Sequence, residues 1–260
     1  ELIFKLKQKY TGRNSSVADL LSYAENASRQ LEELGGSALD KSALEKEISE
    51  LEKKVYILAK SLSEKRKSAA EKMSLDVEKI LCSLGMKDTK FRVGLTEKEG
   101  NAVEQKCGPY GMDNIEFLIS ANPGSPLNPL AKIASGGELS RVMLALKTIL
   151  SDGDLAGTLV FDEIDTGIGG EVAVSVGSHM KKLAEKKQIL CITHLASIAV
   201  YADNQIKIQK GVEGNTTASN IFAVSGEERV KEIARMLSGD SDSSQSLEHA
   251  AAMLQKFGGR

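Results

Sequence analysis

The first third of the sequence carries an apolar repeat that a long helix satisfies. Hydrophobic side chains recur at alternating intervals of three and four residues from Val17 to Leu34, and again from Leu44 to Leu84. This heptad spacing is typical of a coiled coil, in which the apolar stripe packs against another helix. Between the two runs lies a Gly/Ser-rich segment, residues 35–42, which predicts a turn and an antiparallel hairpin. We therefore expect a helical arm over residues 1–85.

Basic side chains accompany the apolar repeat, among them Lys53, Lys54, Lys65, Arg66 and Lys67. Two interpretations fit them: the solvated outer face of a coiled coil, or a local patch that binds DNA. The whole chain has a formal net charge of -2, which gives no general attraction to nucleic acid or to an anionic membrane. Any contact with DNA must therefore depend on a local patch, and the spacing does not choose between the two interpretations.

Composition restricts the class of protein. With 260 residues, of which 41% are hydrophobic, the chain can bury one core and still carry an extended arm. The three cysteines, Cys82, Cys107 and Cys191, form no CxxC pair, which argues against a disulfide framework and a zinc site. No apolar run approaches the roughly 20 residues of a membrane span. We expect a cytoplasmic protein without membrane contact, and Glu1 in place of an initiator methionine suggests an excised fragment.

Residues 86–260 have a different pattern, in which short apolar strands alternate with helical segments. Such alternation predicts an α/β domain with a mostly parallel sheet, whose ligand site lies at the carboxyl ends of the strands. The predicted elements are a helix over 135–150, a strand over 158–162, a helix over about 170–186, a strand over 188–193, strands near 206–209 and 220–224, and one or two closing helices over 227–257.

The segment ASGGELSR opens the first helix of this domain. Ser135 and Glu138 have the S-x-x-E spacing of a capping box, and Gly136 and Gly137 leave the backbone amides of the first turn accessible. A helix terminus of this kind can bind an anion such as phosphate. An ordinary capped helix has the same spacing, so this segment alone does not establish a ligand site.

Two adjacent carboxylates, Asp162 and Glu163, follow the apolar strand residues TLVF. Because side chains alternate along a strand, we expect the two acids to point in different directions. One of them can hold a Mg²⁺ ion beside a triphosphate while the other orients or deprotonates an attacking water. The alternative is a solvated strand end without chemistry.

His194 follows the second buried strand, QILCIT. Directly after Thr193, a neutral imidazole can hydrogen-bond a terminal phosphate or the attacking water if the two strands are neighbours. A lone histidine is more often structural. His179 and His249 fall inside helical patterns without such neighbours, and we interpret them as surface or packing residues.

In this order the three segments resemble the ABC-type ATPase head. Their residues, ASGGELSR, FDEIDTGIGG and CITHLASIA, resemble those of the RecN family of SMC-like bacterial DNA repair proteins. The segments LKQKYTG, FLISANPG and GEERVKEIARMLSG are also similar to that family, so the resemblance covers nearly the whole chain. It implies the C-terminal lobe of an ABC/SMC-type ATPase head over residues 86–260, with a P-loop NTPase-like sheet and an antiparallel coiled-coil arm. Ala196, where the family tends to carry proline, is a small departure.

The resemblance also implies roles for individual residues. The nucleotide-binding signature loop is Ser135, Gly136, Gly137 and Glu138, the Walker B magnesium ligand is Asp162, the catalytic base is Glu163, the D-loop acid is Asp165 and the switch histidine is His194. A degenerate head is disfavoured because none of these residue types is missing.

The P-loop is missing, since no segment satisfies GxxxxGK[ST]. Residues 35–42, GGSALDKS, carry the lysine and serine at the required spacing, but Asp40 stands where the second glycine belongs. A carboxylate there repels phosphate, and no strand precedes the segment. We therefore expect this chain to hydrolyse no ATP alone. In the family the P-loop belongs to the N-terminal half of the polypeptide.

The resemblance implies a function in double-strand-break repair and recombination at the bacterial nucleoid, with ATP and Mg²⁺ as cofactors. The expected partners are the N-terminal half of the same head, double-stranded DNA or DNA ends, and a second protomer joined through ATP-bound heads and the coiled coil. Two alternatives stay open: a half-head of another SMC-like or ABC ATPase, and a coiled-coil interaction module with an inactive head.

Overall fold

The computed structural model of the chain describes residues 1–12, 14–133, 135–213, 216–241 and 243–258, without the side chains of residues 34–40 and 210–218. Two units are distinguished by their internal contacts. The first comprises residues 1–64 and 97–113, and the second comprises residues 65–96 and 114–260. Among the described helices, none is long and apolar enough to cross a membrane.

Helix α2 (Val17–Ser83) begins where the heptad pattern begins, because a reciprocal cap fixes its start. The backbone N–H of Ser16 donates to Oδ2 of Asp19 (2.7 Å), and the N–H of Asp19 donates to Oγ of Ser16 (3.1 Å). These hydrogen bonds lower the pKa of the Asp19 carboxyl. A shorter helix, α1 (Leu2–Tyr10), precedes α2 within the predicted helical arm, although the heptad pattern begins only at Val17.

Helix α2 continues through residues 35–42, so the turn predicted there, and with it the reversal into a hairpin, is not formed in this structure. Each of the two glycines weakens a helix by about 1 kcal/mol relative to alanine. The residues on both sides are rich in leucine, glutamate, lysine and alanine, which favour the helix. The neighbouring propensity therefore outweighs the Gly/Ser signal at the level of the backbone.

The apolar stripe predicted along the arm is exposed in the first unit. The fractional exposures are 70% for Leu31, 56% for Leu44 and 69% for Leu58. A heptad stripe is stabilised when another helix covers it. The first unit also contains the short helix α3 (Val103–Lys106).

The two units divide at residue 64, whereas the sequence predicts a boundary at 85. The difference arises because the last turns of α2 are part of the core of the second unit. Val77 and Leu81 on this helix have no exposed surface, and they pack in one cluster with Phe91 and Ile119. These two residues lie on strands β1 (Lys90–Glu97) and β2 (Asp113–Ser120), which form a three-stranded sheet with β3 (Asn128–Pro129) in the order β1-β2-β3.

The elements that carry the motifs form a parallel unit, as the sequence predicts. Helix α4 (Gly136–Ile149) precedes strand β4 (Thr158–Phe161), and helix α5 (Gly170–Ala184) connects β4 to strand β5 (Gln188–Cys191). Strands β4 and β5 are parallel, with Thr158 opposite Gln188 and Phe161 opposite Cys191. Both strands therefore end at the same edge, and this brings the segments that follow them together.

The rest of the second unit is a hairpin and three helices. The short helix α6 (Ala196–Ala199) follows β5, and strands β6 (Gln205–Glu213) and β7 (Thr216–Val224) pair antiparallel. Helices α7 (Gly226–Ser238) and α8 (Ser244–Phe257) confirm the prediction of closing helices. Val200, Ile233 and Ala250 are the centre of a second apolar cluster between these helices.

Candidate functional site

The first turn of α4 lies next to the segment that follows β4. Ser135 is the N-cap residue, and its Oγ accepts a hydrogen bond from the N–H of Glu138 (3.4 Å). This is the first of the two bonds of the predicted capping box. The positive end of the helix dipole therefore lies at Ser135, Gly136 and Gly137, and it favours a negatively charged group there.

The segment after β4 leaves the strand before the two acids. Strand β4 ends at Phe161, and Glu163 has a φ of 56°, in the left-handed region. Among the described residues it is the one non-glycine with a positive φ. Strand alternation, from which we expected the directions of Asp162 and Glu163, therefore does not apply here. A left-handed non-glycine costs about 1 kcal/mol or more and is typical of functional sites.

The two glycines at the start of α4 lie in close contact with this segment. A Cβ at Gly136 would overlap the carboxylate of Glu163. A Cβ at Gly137 would lie 3.1 Å from the carbonyl oxygen of Glu163 and 3.1 Å from Cβ of Thr166. The Glu163 carboxylate thus rests at the N-terminus of α4, where the helix dipole stabilises its charge. The structure brings the predicted signature loop and the predicted base together within this chain.

Two residues of α4 that the sequence analysis did not single out hold the same segment. Oγ of Ser140 donates to the carbonyl oxygen of Asp162 (2.8 Å). A guanidinium nitrogen of Arg141 donates to the carbonyl oxygens of Ile164 (3.3 Å) and Thr166 (3.1 Å). Arg141 is 7% exposed, and burial lowers its pKa. An arginine next to the apolar run VMLAL was the available sequence signal for this contact.

Asp165 joins the two strand ends. Its Oδ2 accepts hydrogen bonds from Oγ1 of Thr193 (2.6 Å) and from the backbone N–H of His194 (2.8 Å), and it lies 3.0 Å from Nδ1 of the same histidine. Asp165 is 4% exposed, whereas the His194 side chain is 74% exposed. Because the carboxylate accepts, we assign the ring hydrogen of neutral His194 to Nδ1, which leaves Nε2 as an acceptor.

The thiol of Cys191, at the end of β5, is affected by the charges of Asp165 and Asp162. Burial and the charges of Asp165 and Asp162 raise the pKa of its thiol to about 12. The thiol is therefore neutral at physiological pH and suits packing beneath the site. The other histidines behave as predicted: His179 is half-buried, with a pKa lowered by burial and its Nε2 3.0 Å from Oγ of Ser83, and His249 is exposed.

Asp162 could hold a metal ion whose other ligands are not side chains of this site. Among the described residues, no group of three or more His, Cys, Asp or Glu side chains could hold a metal. The Asp162 carboxylate is exposed, and its Oδ1 accepts the N–H of Glu163 (2.9 Å), which leaves lone pairs free on the other oxygen. A Mg²⁺ ion held by one carboxylate, phosphate oxygens and water fits such a donor set.

Comparisons with known proteins give one consistent group of relatives. No protein-family model matches the chain. The DNA repair protein RecN of Treponema pallidum is 49% identical over 254 residues, covering 98% of this chain and 44% of that protein. The DNA repair protein RecN of Bacillus subtilis is 35% identical over 263 residues, covering 98% of this chain and 45% of that protein. The chain thus spans a little under half the length of the relatives it matches.

A solved structure supports the fold class. The crystal structure of the Smc head domain with a coiled coil and joint from Pyrococcus yayanosii is similar with a TM-score of 0.50 at 18% identity. The likeness covers 84% of this chain and 38% of that chain. At this level of identity it concerns the fold alone, and it confirms the predicted SMC-type head.

Proposed function

Since this chain belongs to the RecN family of bacterial DNA repair proteins, we propose that it is the C-terminal half of an SMC-like ATPase that acts in double-strand-break repair. It supplies the signature loop, the Walker B acids, the D-loop and the switch histidine of an ATP-hydrolysing head. The observation that carries the proposal is the convergence of α4, the segment after β4 and the segment after β5 at one edge of a parallel pair of strands.

Each residue type suits one task in phosphoryl transfer to water. Asp162 would hold Mg²⁺, which neutralises phosphate charge when it is bound. Glu163 orients and deprotonates the attacking water, because its carboxylate is an acceptor beside the strand ends. His194, held through Nδ1 by Asp165, would offer Nε2 of its exposed ring to the terminal phosphate or the attacking water. The amides of α4 receive the terminal phosphate of a nucleotide bound to another head, once the Glu163 carboxylate that rests beside Gly136 in this structure has moved away.

The P-loop comes from another segment in this proposal. The outer face of the β4–β5 pair is apolar and open: Val160 is 64%, Leu190 48% and Ile192 59% exposed. Parallel sheets are normally covered on both faces, and a two-stranded sheet gains stability from further strands. The N-terminal half of the head, with its own P-loop strand, is the partner that we propose for this face.

The same assignment gives the working cycle. Two heads bind ATP between them, each offering its α4 terminus to the nucleotide on the other head, and hydrolysis releases them. The exposed heptad stripe of α2 packs against a second helix or protomer, which connects the movement of the heads to that partner. Double-stranded DNA or DNA ends are the proposed ligand during this cycle.

Trapping the dimer tests this cycle. The chain is assembled with the matching N-terminal half, and the mass of the complex is measured by light scattering with and without ATP. Glu163→Gln should bind ATP and accumulate as dimers, because the water is no longer deprotonated, whereas Ser135→Arg should block dimers by filling the α4 terminus. Glu185→Gln, an exposed acid at the end of α5, is the matched control and should behave as wild type.

Two results would count against the proposal. Dimers that form equally without ATP would remove the nucleotide from the interface, and rapid turnover by Glu163→Gln would remove the base. Addition of linear double-stranded DNA separates repair from other SMC-like functions, since turnover stimulated by DNA is expected of a repair ATPase.

A further inference from the structure

The space at the first helical position of α4 is filled by another residue of the chain. Gly136 opens the helix, and a Cβ placed on it would overlap the carboxylate of Glu163. Because the Cα–Cβ bonds of a helix tilt toward its N-terminus, the space that this Cβ would take lies in front of the helix end. The Glu163 carboxylate therefore lies before the first turn of α4, where an anion bound to the helix terminus would lie.

The helix end favours the negative charge of this carboxylate. The first amide groups of a helix have no partner within the helix, and they carry a partial positive charge. Oγ of Ser135 accepts from the N–H of Glu138 (3.4 Å), which satisfies one of these groups. The amides of Gly136 and Gly137 point toward the same end of the helix, so the carboxylate beside Gly136 lies in their field.

The backbone of Glu163 is held in an unfavourable conformation while its carboxylate lies there. Its φ of 56° is in the left-handed region, which is costly for a residue with a Cβ. Two hydrogen bonds help to offset this cost: the N–H of Glu163 donates to Oδ1 of Asp162 (2.9 Å), and Oγ of Ser140 donates to the carbonyl oxygen of Asp162 (2.8 Å). Glu163 is exposed, so its side chain can turn into solvent without opening a packed core.

We propose that this contact is autoinhibitory: the Glu163 carboxylate occupies the phosphate site of α4 in the separate chain and closes it to other anions. The inference rests on the proposed function, in which the α4 terminus receives the terminal phosphate of ATP. The carboxylate and a phosphate cannot share the terminus, because both are negative and the space beside Gly136 is filled. Engagement of a head therefore exchanges one anion for the other, and a head that meets no triphosphate stays closed.

Asp162 is a matched control within the same segment. It carries the same charge one residue away, and it is exposed as well. Two atoms of Glu163, and none of Asp162, lie within 4 Å of the position that a Cβ of Gly136 would take. Replacement of the two acids in turn therefore separates occupation of the helix end from the general negative charge of the segment.

The test is a titration of this chain with inorganic phosphate, followed by the amide resonances of Gly136 and Gly137 in isotope-labelled protein. Glu163→Gln removes the competing charge, which is worth up to about fivefold in an equilibrium at a helix terminus, so its dissociation constant for phosphate should be about fivefold below that of the wild type. Glu163→Asp keeps the charge on a shorter side chain and should lie between the two. Asp162→Asn should stay within about twofold of the wild type, because an exposed charge outside the contact is screened.

Equal dissociation constants in wild type and Glu163→Gln would overturn the proposal, and so would a lack of phosphate binding by Glu163→Gln, since an open terminus should bind. An equal gain in Asp162→Asn would also overturn it, because the effect would then be one of general charge. Should Glu163→Gln fail to fold, Glu163→Gly replaces it, since glycine tolerates the positive φ. Failure of the proposed function is recognised separately: the titration needs neither ATP nor the N-terminal half, whereas the assembled protein would then form no ATP-dependent dimers.

Discussion

Replacement of Asp165 gives a sharp prediction, because all the described hydrogen bonds of its side chain converge on one oxygen. Oδ2 accepts from Thr193 and from the backbone of His194, and it pairs with the His194 ring. Asparagine can place its single carbonyl oxygen at the same point, whereas alanine removes it. Asp165→Asn and Asp165→Ala therefore separate the loss of charge from the loss of the acceptor.

The size of each effect follows from the burial of the donors. The ring of His194 is 74% exposed, so its hydrogen bond to Asp165 contributes little to stability. The Thr193 hydroxyl and the His194 amide are less accessible, and each loses about 1–3 kcal/mol when its acceptor disappears. Asp165→Ala should therefore lower the free energy of unfolding by about 3 kcal/mol. Asp165→Asn keeps neutral hydrogen bonds, about half as strong, and should cost about 1 kcal/mol.

Urea unfolding of the chain, followed by far-UV circular dichroism, measures both values. Thr193→Val, which removes one donor and leaves the acid, provides the control and should fall between the two variants. Equal destabilisation by asparagine and alanine would refute the reasoning, since the charge alone would then matter. An unchanged midpoint in Asp165→Ala would show that Asp165 does not join the two strand ends in solution.

Two further predictions concern titration. With a pKa of about 12, Cys191 should resist alkylation in the folded chain at pH 9, whereas the exposed Cys82 should react. Peptide mass spectrometry measures the extent of both reactions. Modification of Cys191 at the rate of Cys82 would contradict the burial of Cys191. Burial alone would raise the pKa of Glu232, but hydrogen bonds from Arg235 and Lys207 lower it below 4.5. The ionised Glu232 carboxylate therefore stabilises the folded chain above pH 4.5, and this stabilisation is lost as the pH falls through the pKa of the folded state. In urea unfolding at a series of pH values, the free energy of unfolding of Glu232→Gln should fall less at acid pH than that of the wild type.

Much of the fold was predictable because local signals agree with the final packing. The Ser16–Asp19 cap lies at the start of the heptad run, and the strands that end at Phe161 and Cys191 carry the apolar residues of a buried pair. The expectation that His194 lies near the edge of Asp162 and Glu163 if the two strands are neighbours agrees with the parallel pairing of β4 and β5. Their roles stay predictions.

Other features depend on contacts that one-dimensional patterns do not contain. The left-handed backbone of Glu163 occurs where the segment after β4 approaches Gly137 closely, and no residue propensity encodes this contact. The burial of Arg141 was not predicted, because arginine is mostly a surface residue and the adjacent apolar run VMLAL was its one sequence signal. The turn over residues 35–42 was predicted from glycine and serine, and the continuous helix shows that neighbouring propensity decided the backbone there.

The central claim is that this chain contributes the hydrolytic residues of an ATP site whose P-loop lies in another segment. The most direct test is steady-state ATP turnover by this chain, by the matching N-terminal half, and by the two combined, with Glu163→Gln as control. Turnover by the combination alone, lost in Glu163→Gln, is the predicted result. A stable complex of the two halves without turnover, or turnover by the N-terminal half alone, would contradict the claim.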